Sequence, residues 1–154
     1  MEVWELVARE RIRDTVARYN WSGDAGRIDD LADTFCADGV LEIRGFEPLR
    51  GRSQIAAFLG GVTGKVALRA DVKPIVRHNV ANLLFNEVTP DRALVSCYFT
   101  VVTHIGLDHV GRYRDTLVPD GDTAVPVADF MAGIMPKPAP SAPKPVPPAT
   151  PAGK

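Results

Sequence analysis

Between residues 74 and 118, three β-patterned stretches follow one another with no helical period between them. Residues 74–85, 92–103 and 109–118 are rich in Val, Phe, Tyr and Thr, the side chains that suit a half-buried pleated surface. Thr89-Pro90-Asp91 reads as a turn after the first stretch, and residues 105–108 connect the second to the third. Strands joined this tightly run antiparallel, because a parallel pair needs a crossover of a dozen or more residues. Pro119-Asp120-Gly121-Asp122 is a further hairpin turn. A last strand is expected over 123–130, where Pro126 confines it to an edge or a bulge.

Ahead of the strands the apolar spacing is helical. Val3, Leu6, Val7, Ile12, Val16 and Tyr19 predict a first helix over 3–19, broken by residues 20–23. Asp24 is well placed to cap a second helix carrying Ile28, Leu31, Ala32 and Phe35. Asp38-Gly39 is a turn, and residues 40–44 form a short strand. Ser53 can cap a third helix with Ile55, Phe58 and Leu59 on one face, ended by Gly60-Gly61. Helices first and consecutive strands after them predict a segregated α+β domain rather than alternating βαβ units. The expected shape is a cone-shaped roll, three N-terminal helices on a strongly curved, mainly antiparallel sheet enclosing a pocket. Concave, mostly apolar spaces of that kind are common ligand sites.

The chain of 154 residues suits one domain, and 18 basic against 19 acidic residues leave a net charge of -1. That balance lacks the footprint of a nucleic-acid or anionic-membrane binder. The N-terminus mixes charges into its apolar residues, and nowhere do about 18 apolar residues run together. The reading is a cytoplasmic protein. Cys36 and Cys97 sit in apolar contexts without metal-type spacing and read as free buried thiols. Beyond Gly133 the composition changes, and the run PKPAPSAPKPVPPATPAGK from Pro136 has too little apolar surface to offset its ordering entropy. The domain is therefore expected over 1–132 and a disordered proline-rich tail over 133–154.

Three places set ionisable groups beside expected core: Tyr19-Asn20-Trp21-Ser22-Gly23-Asp24, Arg77-His78-Asn79, and His104 to Asp115. Neutral histidine is the side chain best matched to proton transfer near pH 7. His78 is either such a base or a core histidine satisfied by a carbonyl. Asp24 either caps a helix or orients the base, and Tyr19 is either a donor or a packed aromatic. Arg112 and Asp115 stand at odd spacing and so face opposite sides of their strand. Asp108, His109 and Arg112 fall near the expected cavity mouth, where Arg112 can meet Asp108 or an anionic substrate group. His78, His104 and His109 do not follow a known metal-ligand spacing, so no metal is expected.

The runs ARYNWSGDAGRIDDLADTFCADGVLEIRG, GRSQIAAFLGG, RHNVANLLF and GLDHVGRYRDTLVPDGD, in this order, resemble the SnoaL-like branch of the nuclear transport factor 2-like superfamily. That superfamily includes scytalone dehydratase, bile acid 7α-dehydratase, hexachlorocyclohexane dehydrochlorinase, ketosteroid isomerase and the small subunits of ring-hydroxylating dioxygenases. The resemblance implies a cofactor-independent lyase or isomerase acting on a small apolar or cyclic molecule. By this resemblance His78 would be the catalytic base, Asp24 its orienting carboxylate and Tyr19 a polarising donor; Arg112, Asp108 and Trp21 are expected, from their own positions, to contact substrate. The resemblance also implies a homodimer or higher homo-oligomer. Dioxygenase small subunits imply an alternative, a non-catalytic binding domain or assembly subunit. Epoxide hydrolysis would require Asp24, Asp108 and Arg112 to converge on one water. The chain departs from the family after its Asp-Gly turn: DGDTAVPVADFMAGIMPKPAP lacks the usual tryptophan and arginine of the closing strand.

Overall fold

In the computed structural model, which describes residues 1–67, 75–120, 123–125 and 130–132, the first helix, α1 (Val3–Asp24), runs through the break expected at residues 20–23. Asn20 and Ser22 are buried. The Asn20 amide donates to the Val16 carbonyl one turn back, and the Tyr113 hydroxyl donates to Asn20 Oδ1 from the sheet. These contacts outweigh the weak local preference of Asn and Ser against helix. The helix ends instead at Asp24, and Gly26, just past the C-cap Ala25, has a φ of 70°. Gly26 N–H donates to the Gly23 carbonyl and Arg27 N–H to that of Ser22, a Schellman closure. Asp24 thus lies in the last turn of α1 and does not cap α2 (Ile28–Ala32), whose N-cap is Arg27.

Next come β1 (Val40–Ile43), β2 (Leu49–Arg50) and α3 (Gly51–Ala67). Helix α3 begins ahead of Ser53 and continues past Gly60-Gly61, each glycine costing about 1 kcal/mol relative to alanine. Ile55 is fully buried and Leu59 packs on the same core, which offsets that cost.

The long strands are β3 (Val76–Val88), β4 (Ala93–Thr103) and β5 (Gly106–Asp120). With β6 (Thr123–Val125) they form a sheet in the order β3-β4-β5-β6, and every neighbouring pair in it is antiparallel. The connection from β4 to β5 is tighter than expected, with Thr103 paired to Gly106 across His104-Ile105. Two register shifts bend β3 between Ala81 and Glu87, and Asn82 takes a φ of 56° there. Instead of one last strand over 123–130 there are two short ones. β6 pairs with β5, whereas β7 (Phe130–Ala132) runs parallel to β1 in a sheet ordered β2-β1-β7. The expected positions at Pro74, Gly121, Asp122 and Pro126, and the expected tail over 133–154, lie outside the described residues.

Phe35, Leu41, Ile55, Cys97, Phe99, Val101 and Tyr113 build one core cluster, and Ile12, Val95 and Leu117 a second. Cys36 and Cys97 are not joined in a disulfide, Cys97 being buried and Cys36 partly so. Among the described residues no helix is long and apolar enough to cross a membrane. The architecture is the expected α+β one, helices on an antiparallel sheet, and its inner face carries the polar groups described next.

Candidate functional site

Along β4 the inward side chains are Val95, Cys97, Phe99 and Val101. Val101 pairs with His78 on β3 and with His109 on β5, so the three form one row across three strands. Two strand spacings put the backbones of His78 and His109 about 10 Å apart. The Phe99 ring lies in the next row, 6.1 Å from His78 and 5.8 Å from His109.

Asp24 reaches this row from the end of α1. Its Oδ1 is 2.6 Å from His78 Nδ1, and its Oδ2 accepts the His78 backbone N–H at 2.9 Å. A carboxylate in the last turn of a helix sits against the negative end of the helix dipole. Helix stability therefore does not account for Asp24, whereas the two hydrogen bonds do. The Asp24 side chain is 12% exposed and His78 23% exposed, so the pair is sheltered but reachable. In the tautomer whose Nδ1 donates to the carboxylate, the neutral ring carries its lone pair on Nε2.

A second imidazole–carboxylate pair stands across Val101. His109 Nδ1 is 2.7 Å from Asp108 Oδ2. Neighbours in a strand normally face opposite ways. Here the register jumps from Val101↔His109 to Val102↔Leu107, and the bulge leaves Asp108 free to turn toward the ring.

Tyr19 lies five residues before Asp24 on α1, its ring edge-on to Phe35 at 5.8 Å and to Tyr113 at 6.2 Å. Burial and the charge of Asp115 push its phenol up, so it stays a neutral donor. Tyr113 stacks on Phe99 at 4.4 Å. Its phenol is also raised, first by burial and then by Tyr19, Cys97, Asp115 and Asp24. A chain of rings thus runs from Tyr19 through Tyr113 and Phe99 to His78.

Asp115 lies beyond Tyr113 on the same face of β5, opposite Val95. It is 7% exposed, and its Oδ1 has no hydrogen-bond partner among the described residues. Burial pushes its acid up to about 7. An oxygen buried in this way costs roughly 1–3 kcal/mol.

Of the six residues singled out from sequence, the fold joins Asp24 to His78 and sets Tyr19 and Asp108 on the same interior. It does not bring Trp21 or Arg112 there. Trp21 is 72% exposed and lines a shallow surface trough with Arg18 and Arg27. Arg112 pairs with Tyr98 on the outer face, away from His109. Arg112 therefore does not join Asp24 and Asp108 on that interior, as epoxide hydrolysis requires. Sequence reasoning passed over His109 as a site residue, as well as Tyr113, Asn20 and Asp115. The period of two along β5 puts 109, 113 and 115 on one face, a signal that separates them from Arg112.

Similar folds occur among solved structures. A nuclear transport factor 2-like protein with a cystatin-like fold from Novosphingobium aromaticivorans is 24% identical, covers 82% of this chain and 80% of its own, and has a TM-score of 0.68. A protein from the same organism provisionally assigned as a scytalone dehydratase is 18% identical, over 84% of this chain and 85% of its own, at 0.71. A Catenulispora acidiphila protein in complex with S-DNPA is 23% identical, over 82% and 90%, at 0.67. At these identities the likeness establishes the fold alone. No curated protein matches the chain. Residues 4–124 match the family model described as the SnoaL-like domain, and the chain belongs to that family.

Proposed function

We propose that this protein is a cofactor-independent lyase or isomerase, dehydratase-like, acting on a small apolar or cyclic molecule. The observation that carries this reading is the grip of Asp24 on both the ring and the backbone of His78. Asp24 fixes the tautomer and stabilises the imidazolium once it forms, as the carboxylate of a catalytic triad does. His78 Nε2 takes a proton from the carbon beside an activating group. The electrons of that C–H bond form the new double bond, and the C–O bond on the neighbouring carbon breaks with its electrons leaving on oxygen. His109, held by Asp108 on the same sheet face, gives the departing oxygen its proton, so that water leaves. Tyr19 supplies a neutral phenol donor from the helix side. In an isomerisation the proton on His78 returns to a different carbon. The complex of a structural neighbour with S-DNPA is consistent with a small-molecule site on this scaffold.

The test is His78→Ala and Asp24→Asn, each assayed against a panel of hydroxylated cyclic substrates for dehydration and isomerisation. Turnover falling by two or more orders of magnitude in both is the expected result. Turnover equal to that of the parent protein in both overturns the reading.

A second reading rests on the outer face of the sheet, where Tyr98 is 55% and Leu84 60% exposed beside Arg112 and Arg114. Such a face suits a homo-oligomer, or a binding or assembly subunit that performs no chemistry. The discriminating measurement is the solution mass by light scattering, alone and with a candidate partner.

A further inference from the structure

The dyad lies toward the end of the sheet where β4 turns into β5. At the opposite end, Ile12 of α1 packs on Ala93 and Leu117, in the row Val88↔Ala93↔Leu117 that crosses β3, β4 and β5. Between the first turns of α1 and this end of the sheet is a groove of about 500 Å³, a volume within the range of small-molecule sites. Trp4, Val7, Ala8 and Arg11 follow helical spacing and give it one wall. Pro90, just past β3, and Pro119 on β5 stand on the other, and buried Ile12 and Leu117 are its floor. Eight residues of β4 separate Ala93 from Val101, about 27 Å of strand, so the groove is remote from His78.

The fold leaves two features of this groove without a role. Its apolar wall is open, with Trp4 42% and Val7 44% exposed. Apolar surface gathered in one concavity marks a place of contact. Its charge is also uncompensated. Along the same helix Arg9 pairs with Glu5 and Arg13 with Glu10, and across the groove Arg92 pairs with Glu87. The Arg11 side chain makes no hydrogen bond or ion pair among the described residues. No acidic residue is among the described residues that line the groove.

We infer that this groove is a second ligand site, one for a free aliphatic carboxylic acid of medium chain length. The acyl chain lies along Trp4, Val7 and Val118, and the carboxylate meets the Arg11 guanidinium. The site is independent of the chemistry proposed at His78. A guanidinium presents paired donors that match the two oxygens of a carboxylate. Beside apolar walls such a pair attracts more strongly than in open water. Apart from Trp4 the apolar lining is aliphatic, which suits a methylene chain better than a stack of rings. From Trp4 to Arg11 the helix rises about 10 Å, the run available to that chain. An alcohol of the same length makes the same apolar contacts but leaves the guanidinium without a counter-charge. A second carboxylate at the far end of the chain would have to be desolvated against the apolar wall.

The test is calorimetric titration of the full chain with decanoate and with 1-decanol, each kept below the concentration at which it forms micelles or droplets. The parent protein is expected to bind decanoate about ten-fold or more tightly than decanol, the difference that a hydrogen bond to a charged group makes. Arg11→Gln is expected to weaken decanoate alone and so to remove the preference. Val7→Asp, which sets a like charge in the apolar wall, is expected to weaken both probes. A second readout leaves the groove unaltered. The chain has two tryptophans, Trp4 and Trp21, so in Trp21→Phe the emission is that of Trp4. Decanoate must shift this emission to the blue as the acyl chain displaces water from the ring. A parent protein that does not bind decanoate, a preference that survives Arg11→Gln, or an unshifted Trp4 emission overturns the site. Signs of a different occupant overturn it too. A solution mass of the ligand-free chain that falls in Val7→Asp would make the groove a contact between copies. Sedimentation with phosphatidylglycerol vesicles that Val7→Asp abolishes would make it a contact with a lipid surface. Turnover in the His78 and Asp24 variants is a separate measurement, so the two readings fail separately.

Discussion

Asp24 and His78, 54 residues apart in the chain, are tied by two hydrogen bonds, one to the imidazole and one to the backbone of β3. A single carboxylate therefore fixes both the tautomer of the ring and the height of the strand that carries it. Asp24→Asn keeps an oxygen for the backbone N–H but offers the ring an amide with donor and acceptor in fixed places. The expected outcome is a fold of nearly parental Tm with turnover reduced on the order of 10⁴-fold, as when a triad aspartate is neutralised. Asp24→Ala removes both bonds and is expected to lower stability as well, by about 1–3 kcal/mol. Thermal melts set beside steady-state rates separate the two variants.

Asp115 makes stability depend on pH, and the sign follows from the direction of its shift. Its acid is raised from 3.8 to about 7 in the folded protein. Between those values the folded chain holds a proton that the unfolded chain has released. Stability contributed by this proton is full below about pH 4, falls as pH rises toward 7 and is gone above it. Three units correspond to at most about 4 kcal/mol. The groups that share its surroundings, Tyr19, Tyr113 and Cys97, are themselves raised, the thiol to about 12, and stay neutral across this window. Urea titrations at pH 5 and pH 8 are expected to show the parent protein losing stability at the higher pH and Asp115→Asn gaining relative to it there. A parent-minus-variant difference that does not change with pH contradicts the shift.

The element types of this fold are legible because their periods are strong. The stripe from Val3 to Tyr19 and the run from Ala93 to Thr103 each follow one period for many residues. Helix ends were not legible. Asn20 and Ser22 read as breakers locally, and only the sheet, through Tyr113, turns them into interior helix residues. Gly60-Gly61 misled in the same way, because Ile55 and Leu59 anchor α3 from outside the local window. The link between Asp24 and His78 came from family resemblance rather than from spacing. Asp108 meeting His109 depends on a bulge, and a bulge has no clear signature in this stretch. Asp115 was hidden for a simpler reason. Parity separates it from Arg112, but not until the neighbours of β5 are known does parity say which of the two faces inward.

Tyr113 and Asn20 join the sheet to α1 at 3.1 Å, inside the core. Tyr113→Phe removes the donor and leaves Asn20 Oδ1 buried without it. The expected destabilisation is about 1–3 kcal/mol, the penalty for an orphaned interior acceptor. Asn20→Leu in the same background removes the orphan and is expected to recover part of the loss. A double-mutant cycle by urea denaturation gives the coupling, which should lie near 1 kcal/mol or above for residues in contact. Additive losses would mean that the hydrogen bond contributes nothing.

Gly26 sets where α1 stops and so where Asp24 stands. Its φ of 70° is a conformation that alanine adopts only with strain, about 1–2 kcal/mol. Gly26→Ala therefore works against the closure formed by the Gly26 and Arg27 amides on the carbonyls of Gly23 and Ser22. Unwinding the last turn shifts Asp24 relative to His78, and a carboxylate misplaced by about 1 Å can cost on the order of 100-fold in rate. The expected result is a Tm a few degrees lower, accompanied by a fall in kcat far larger than so small a loss of stability accounts for. Gly61→Ala is the matched control: it too adds a methyl to a helix-terminating glycine as read from sequence. Gly61 lies inside α3 with nothing within 4 Å of the added carbon, so that variant should gain stability and leave kcat alone. Equal kinetic effects of the two substitutions would mean that the end of α1 does not position the dyad.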